Sequence, residues 1–397
     1  MKSGSLCLLC KGSRNLCGNK TCPLLANYAM KLQMKNSVGT DFFGPCTSLF
    51  VGRSGYPNVF IGPVAAIDPE TAPVADQPDA WFGQDYSKVI ELRSMLLRSK
   101  YRQGIRSYSR FVEDNRLLAM AERPTDVEMM FKSKPSMDMR FSDVVQPMGP
   151  SAMLDRMTVT ENIKIDRRVE YIVSDNLKAA EASIKLYENN QDIYKITNIL
   201  SSGALGKDKK MVPTRWSITA VDDMIFKEVV KKVKDYPSVG EFLVYSSKYL
   251  DNHFEILLMP GNWEFENFEA WAPGSIWAQS AKEIQIVEEY EPYHGRKKYA
   301  EKQAGGYYAA RLGIAEGLNE MKRQARIVSF REISEGYTIP MGVWVVRETV
   351  RNAFKNPPEK FASLDSALRH IRMKLKIPLK NYRIQSRILQ QRTIFDF

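Results

Sequence analysis

Four cysteines near the start of the chain have the types and spacing of a metal site. Cys7, Cys10, Cys17 and Cys22 follow the pattern C-x2-C-x6-C-x4-C. A CxxC pair places two thiolates on one tight turn, and a second nearby pair completes a tetrahedral sulfur shell. The pattern therefore predicts a structural Zn²⁺ that folds the N-terminus. An iron–sulfur cluster or a redox role is the alternative.

The last seven residues have the spacing of a docking peptide. Ile394 follows Gln391 by three positions and Phe397 follows by three more, with Phe395 between them. This spacing places the aliphatic and the aromatic side chain on one side of a tight helical turn, which can fill a hydrophobic pocket. The peptide resembles the one by which replication and repair proteins bind the sliding clamp PCNA, although the usual form has two adjacent aromatics. A terminal turn packed on its own domain is the alternative.

Three segments combine glycine, arginine and aromatic residues in a way that suits a phosphate group. They contain Gly52, Arg53 and Gly55; Thr214, Arg215, Trp216 and Ser217; and Gly305, Gly306 and Arg311. Glycine-rich turns and helix starts present backbone N–H groups to an anion, and an aromatic ring can stack on a base. Together they predict a pocket for a nucleotide or a nucleic-acid backbone, with Trp216, Tyr56 or Tyr307 available to stack a base. Ordinary helix caps, a solvated hairpin turn and tight helix packing are the alternatives.

The sequence contains candidate catalytic residues and is compatible both with an enzyme and with a protein that only binds DNA. Glu264, Glu266 and Glu269 predict an acidic loop that is either solvated or binds Mg²⁺ for phosphodiester cleavage. The chain has 3 histidines and contains no P-loop, Ser–His–Asp spacing or zincin motif. A metal-assisted hydrolase that acts on nucleotides or DNA is therefore the alternative to a protein that only binds DNA.

The charge of the chain points to an acidic partner. The formal net charge is +11, and residues 351–397 contain 11 Lys/Arg against 3 Asp/Glu. A second basic segment falls in a predicted helix over residues 87–112. The cations that we single out in it are Arg93, Arg98, Lys100, Arg102, Arg106 and Arg110. This helix is predicted either to bind nucleic acid or to form a solubilising face.

The elements that must position these residues predict an α+β protein. Helical and strand-like segments alternate without regular βαβ order, so a mainly antiparallel sheet is expected beside the helices. We predict a zinc knuckle and linker at 1–40, an α+β core at 41–355, and a basic C-terminal helix and tail at 356–397. No apolar run is long enough to cross a membrane, and nothing at the start reads as a signal peptide, so a soluble, cytoplasmic protein is expected.

Five internal segments carry a resemblance to a known family. They are Val51–Pro57, Val212–Asp222, Glu269–Gly274, Gln303–Arg311 and Gly342–Glu348. These segments resemble the archaeal NreA DNA repair family, and the likeness runs from Cys7 to Phe397. The resemblance implies a cytoplasmic, DNA-associated protein that works with PCNA in the response to DNA damage. It implies no particular reaction.

Overall fold

The computed structural model describes residues 38–136 and 149–391, together with Leu16 and Gly18. The four clustered cysteines and residues 392–397 lie outside these ranges, so the zinc knuckle and the docking peptide stay predictions. The chain forms two compact units that divide between Ile225 and Phe226. We call the described residues of 38–225 the barrel unit and residues 226–391 the sheet unit.

Five strands of the barrel unit close into a barrel in the order β1-β2-β3-β5-β4. They are β1 (Asp41–Val51), β2 (Asn58–Ala66), β3 (Leu96–Gly104), β4 (Thr125–Phe131) and β5 (Ser151–Val159). β1 pairs antiparallel with β2 and with β4, whereas β3 and β5 are parallel. A helix follows β3 and precedes β4 in the chain. This order and this helix position are those of the OB-fold, a small Greek-key barrel.

The barrel forms because apolar and polar residues alternate along its strands. Leu97, Val127, Met129 and Leu154 belong to one buried cluster inside it. Cys46 belongs to the same cluster, and burial raises the pKa of its thiol to about 12. The apolar runs on either side of residues 52–57 predict the β1–β2 hairpin, and the apolar neighbours of Cys46 in the sequence predict a buried thiol. The structure confirms both predictions.

Helices of the barrel unit surround and connect these strands. They are α1 (Ala72–Ala75), α2 (Pro78–Trp81), α3 (Tyr86–Ser94), α4 (Arg110–Met120), α5 (Arg167–Ser174), α6 (Ala179–Glu188) and α7 (Ile193–Ser202), with a 3-10 turn at Pro69–Thr71. The predicted single helix over residues 87–112 is wrong, because α3 ends at Ser94 and the chain then forms β3. The sequence also predicts a helix over residues 192–200 that ends at Gly203, and α7 agrees with it, with Asp192 at its N-cap and Gly203 in the left-handed conformation.

The sheet unit is built on a six-stranded sheet in the order β11-β6-β7-β10-β8-β9. The strands are β6 (Phe242–Tyr249), β7 (Asn252–Met259), β8 (Glu264–Trp271), β9 (Gln285–Glu291), β10 (Arg326–Ile333) and β11 (Glu359–Phe361). β10 and β8 are parallel, and the other pairs are antiparallel. The expected α+β class is therefore confirmed in both units.

Helices cover both faces of this sheet. The helices from here on are α8 (Thr214–Lys234), α9 (Gly305–Met321), α10 (Trp344–Phe354), α11 (Leu364–Lys374) and α12 (Leu379–Arg383). α9 and α10 pack closely, since a β-carbon on Gly317 would come within 2.3 Å of the Phe354 ring. Phe330 packs against α11 and α12, while the next residue, Arg331, points to the side of α9. No described helix is long and apolar enough to cross a bilayer.

The segment after α11 is part of the core of the sheet unit. Residues Ile388 and Leu389 are buried in the same cluster as Phe330. Glu332 accepts hydrogen bonds from the backbone of Ile377 (2.9 Å) and from the Tyr382 hydroxyl (3.0 Å). The sequence predicted a tail after the basic helix, but buried carboxylates hold the segment against the sheet up to residue 389.

Candidate nucleic-acid interface

Three chain segments at one end of the barrel are strongly basic. We call residues 52–57, 102–110 and 207–217 the basic rim. The rim contains 8 Lys/Arg and a single acidic residue, Asp208. A surface with this balance attracts a polyanion.

Backbone hydrogen bonds hold the three segments of the basic rim together. The Ile105 N–H donates to the Pro57 carbonyl (3.0 Å), and the Met211 N–H donates to the Ile105 carbonyl (2.9 Å). The Val51 N–H donates to the Thr214 hydroxyl (2.9 Å), which ties the end of β1 to the start of α8. The rim is therefore positioned by the barrel, although its segments lie far apart in sequence.

Two exposed aromatic rings meet at the basic rim. The Tyr56 and Trp216 ring centroids lie 5.2 Å apart with an angle of 53° between the planes. Their side chains are 39% and 44% exposed, and the Lys210 ammonium lies 5.5 Å from the Tyr56 ring. The structure thus brings together two of the three segments that the sequence singled out, those of Arg53 and of Arg215.

The outer face of the β2–β3 pair continues the basic rim. Phe60 and Arg102 are direct cross-strand partners, and the guanidinium lies 5.4 Å from the Phe60 ring. Arg98, Lys100 and Arg102 alternate along β3, so they share one face even though the predicted helix is wrong. In OB-folds the face of strands 2 and 3 and the β1–β2 loop bind oligonucleotides.

Helix α8 begins earlier than the sequence predicted. The motif Thr219-x-x-Asp222 suggested a start near Ala220, but the helix spans Thr214–Lys234. Its first turn closes on Pro213, whose carbonyl accepts from the Trp216 and Ser217 N–H groups at 2.8 and 3.0 Å. Ser217 is buried and donates to the Val212 carbonyl, so the two predicted hydroxyls serve the fold while Trp216 faces outward.

The remaining basic candidates differ in their surroundings. Arg93 is buried, paired with Asp76 and stacked near Trp81, and Arg98 lies 4.5 Å from the Phe50 ring. Arg106 and Arg110 are exposed at the basic rim. Lys209 donates to two backbone carbonyls, and burial lowers the pKa of its ammonium. Arg93, Arg98 and Lys209 therefore contribute to the fold. Arg106 and Arg110 supply the outward charge.

The third predicted phosphate segment lies in the sheet unit. Gly305 and Gly306 open α9 as predicted, but a β-carbon on Gly306 would come within 2.5 Å of a Glu269 oxygen. Arg311 is 2% exposed, pairs with Glu291 and stacks 3.7 Å from the Phe226 ring. These contacts favour the packing role that the sequence left open for this segment.

The predicted acidic loop is strand β8, which corrects that prediction. Glu266 points to the C-terminal segment, whereas Glu269 lies on the other face and pairs with Arg331 at 2.6 Å. Glu264 pairs with Arg326 at 3.2 Å. Within the described residues, no three His, Cys, Asp or Glu side chains are grouped so that they could hold a metal ion. The three carboxylates therefore do not form one site.

Family models match almost the whole chain. The model described as "Archaeal Nre, N-terminal" matches residues 16–278, and "Archaeal Nre, C-terminal" matches residues 291–397. The chain belongs to the archaeal Nre family. It is 38% identical over 368 residues to the DNA repair protein NreA of Archaeoglobus fulgidus, a match that covers 91% of this chain and 92% of that protein.

Two further relatives have similar coverage. The DNA repair protein NreB of Archaeoglobus fulgidus is 34% identical over 398 residues, which are 98% of this chain and 99% of the relative. The DNA repair protein NreA of Haloferax volcanii is 36% identical, over 89% of this chain and 88% of the relative. No solved structure is significantly similar to this Nre chain.

Sequence reasoning missed part of the basic rim. Lys207 and Lys210 were not singled out, although they stand in a Lys-Asp-Lys-Lys run directly before the family-like segment that begins at Val212. Phe60 gave no signal, because an isolated aromatic residue in a strand usually belongs to a core. Only the barrel places its ring beside Arg102 on the outer face.

Proposed function

We propose that this Nre protein is a DNA repair protein whose barrel unit binds DNA at the basic rim. We further propose that residues 391–397 recruit it to the sliding clamp PCNA and that a zinc knuckle folds its N-terminus. The names of the NreA and NreB relatives support the repair role.

One observation carries the DNA-binding proposal. The basic rim combines 8 cations against a single acid with an exposed aromatic pair, on a barrel whose topology is that of oligonucleotide-binding proteins. Cations in this arrangement contact phosphates, and exposed rings contact bases. A face that only solubilises the protein has no need of Tyr56 and Trp216 at its surface.

The clamp proposal rests on the peptide and on the place where it starts. Gln391 is the first residue of the predicted peptide, and its side-chain oxygen accepts from Arg326 at 2.6 Å. The sheet unit thus fixes the start of the peptide, and Ile394, Phe395 and Phe397 follow within six residues. The zinc proposal rests on Cys7, Cys10, Cys17 and Cys22, whose four sulfur donors match the tetrahedral shell of structural zinc.

The described residues give less support to a hydrolytic function than to DNA binding. The carboxylates of strand β8 lie on opposite faces of the sheet, and two of them pair with arginines. A nucleotide pocket would need the third segment around Gly305, which packs against Glu269. We therefore propose DNA binding and recruitment as the function of the core.

Fluorescence anisotropy with labelled DNA tests the proposal. The double variant Arg106→Ala/Lys210→Ala should bind more weakly and lower the slope of log Kd against log salt by about 1.5, since each lost phosphate contact removes about 0.7 to 0.9. Arg167→Ala/Arg168→Ala is the matched control, because it removes the same charge from exposed positions of α5 in the same unit. Equal losses in the two variants would reduce the basic rim to a general charge effect and contradict the proposal.

A further inference from the structure

The basic rim carries an exposed aromatic pair, Tyr56 and Trp216. Tyr56 lies in the β1–β2 loop and Trp216 in the first turn of α8. Both rings keep more than a third of their surface open, at 39% and 44%. Aromatic side chains of this size are mostly buried in folded proteins, so an open pair of them marks a contact surface.

Hydrogen bonds around the pair hold the two rings in place. The Val51 N–H bonds to the Thr214 hydroxyl two residues before Trp216. On the other side, the Asn58 N–H donates to the Gly55 carbonyl (2.9 Å), which closes the loop around Tyr56. The pair is therefore preorganised, and a ligand loses little conformational entropy when it stacks there.

We propose that Tyr56 and Trp216 form a platform on which an unpaired base of single-stranded DNA stacks. This inference rests on the proposed DNA binding and specifies its ligand. In a duplex each base is already covered by its neighbours, so exposed rings reach only base edges or a flipped base, and flipping costs energy. In a single strand the faces of the bases are accessible, and stacking on aromatic rings is the usual mode of recognition.

The charges beside the platform fit a single strand that continues past it. Lys210 lies 5.5 Å from the Tyr56 ring, and Arg102 lies 5.4 Å from the Phe60 ring on the neighbouring strand. A stacked base at Tyr56 or Trp216 therefore has its phosphates next to cations in both directions. The strand would run from the platform over the outer face of β2 and β3.

Tryptophan fluorescence provides a direct measurement at the platform. The chain has 6 tryptophans, all in the described ranges, and Trp216 is 44% exposed whereas the other five are at most 4% exposed. Quenching by acrylamide therefore reports mainly on Trp216. Saturation of the full-length protein with oligo-dT of about 16 nucleotides should protect this tryptophan, whereas a hairpin duplex of equal charge should leave it open to the quencher.

Substitutions separate stacking from charge. Trp216→Ala should weaken oligo-dT binding about 5- to 150-fold and change duplex binding little, because stacking on one ring contributes that much. Trp216→Phe should restore most of the affinity. Tyr171→Ala, which removes another exposed aromatic side chain of the barrel unit, is the control and should bind as the parent does.

The outcomes are distinct. Equal binding of oligo-dT and duplex, or a Trp216→Ala variant that binds oligo-dT as well as the parent, would overturn the platform while leaving DNA binding intact. Absence of binding to either DNA at low salt would instead contradict the proposed function itself. Unchanged melting temperatures of the variants show that a loss of affinity arises at the surface.

Discussion

Gly55 lies so close to Arg102 that a β-carbon on the glycine would come within 2.8 Å of the guanidinium. The same β-carbon would lie 2.9 Å from the Asn58 carbonyl oxygen, and the glycine has a φ of +79°. The β1–β2 loop can therefore fold tightly over the β3 cation only with glycine at this position. This contact connects the loop of the platform to the basic face of β3.

Gly55→Ala should lower the free energy of unfolding by about 2 kcal/mol, from the left-handed backbone and the close contact with the Asn58 carbonyl. DNA binding should fall as well, because the loop that carries Tyr56 must shift. Urea unfolding and anisotropy measure the two effects.

Gly83→Ala is the matched control for this variant. Gly83 also has a positive φ, of +93°, but an added β-carbon would meet nothing within 4 Å. We expect a loss of about 1 kcal/mol from the backbone alone and no change in DNA binding. Equal effects of the two substitutions on binding would show that the Gly55 contact does not matter for the site.

The basic rim shows what the sequence could and could not predict. The hairpin that carries Arg53 was predicted, because two apolar runs flank a glycine-rich turn. Residues 87–112 were predicted as one helix, but they form most of α3, all of β3 and the start of α4. The alternation of Arg98, Lys100 and Arg102 is typical of a strand. The first part of β3 is buried, because the Phe50 ring covers Arg98 and helix α1 packs near Leu96, and these contacts form only in the folded barrel.

Burial raises the pKa of Glu266 to about 7, although Ser386 and the Arg387 N–H donate hydrogen bonds to it. A raised pKa in the folded state stabilises the protein at low pH, and this contribution is lost as the pH rises from about 4.5 towards 7. Relative to Glu266→Gln, which stays neutral, the parent should therefore lose roughly 3 kcal/mol across this window. Urea unfolding of both proteins at several pH values measures the difference.

Parallel stability curves for the parent and Glu266→Gln over that range would contradict this prediction. Glu264→Gln is a suitable control, because Glu264 stands on the same strand and pairs with Arg326 at the edge of the buried region. The comparison between variants isolates Glu266 from the other groups that titrate in the same range.

Phe397→Ala should weaken binding to PCNA at least about 30-fold, since buried aromatic anchors contribute 2 kcal/mol or more to an interface. The melting temperature should not change. Met373→Ala removes another apolar side chain of the C-terminal region, one that is 79% exposed, and should bind PCNA normally. Surface plasmon resonance with immobilised clamp measures both, and unaltered binding by Phe397→Ala would exclude the peptide.

Elemental analysis of the native protein should find about one equivalent of zinc per chain. Cys10→Ser should lose the metal, because the remaining three sulfurs cannot close the tetrahedral shell. Cys46→Ser is the control and should retain zinc, since Cys46 is buried in the barrel. A substoichiometric zinc content, or iron in its place, would contradict the zinc knuckle.

The sheet unit contains a strand that local sequence patterns could not predict. β8 was predicted as a loop because Glu264, Glu266 and Glu269 make it polar. The charge of Glu269 is compensated by Arg331, 62 residues away in sequence, so nothing near the strand indicates that it is buried.

Hydrogen bonds to Glu266 fix the backbone around Arg387 to the sheet. They therefore limit how far from the sheet unit a partner bound at Phe397 can lie. Gln391 stays beside Arg326, and six residues reach at most about 20 Å. A clamp bound at Phe397 would therefore remain at high local concentration next to the sheet unit and could adopt few orientations relative to it. In such an assembly the distance between clamp and sheet is set by the fold rather than by a long linker.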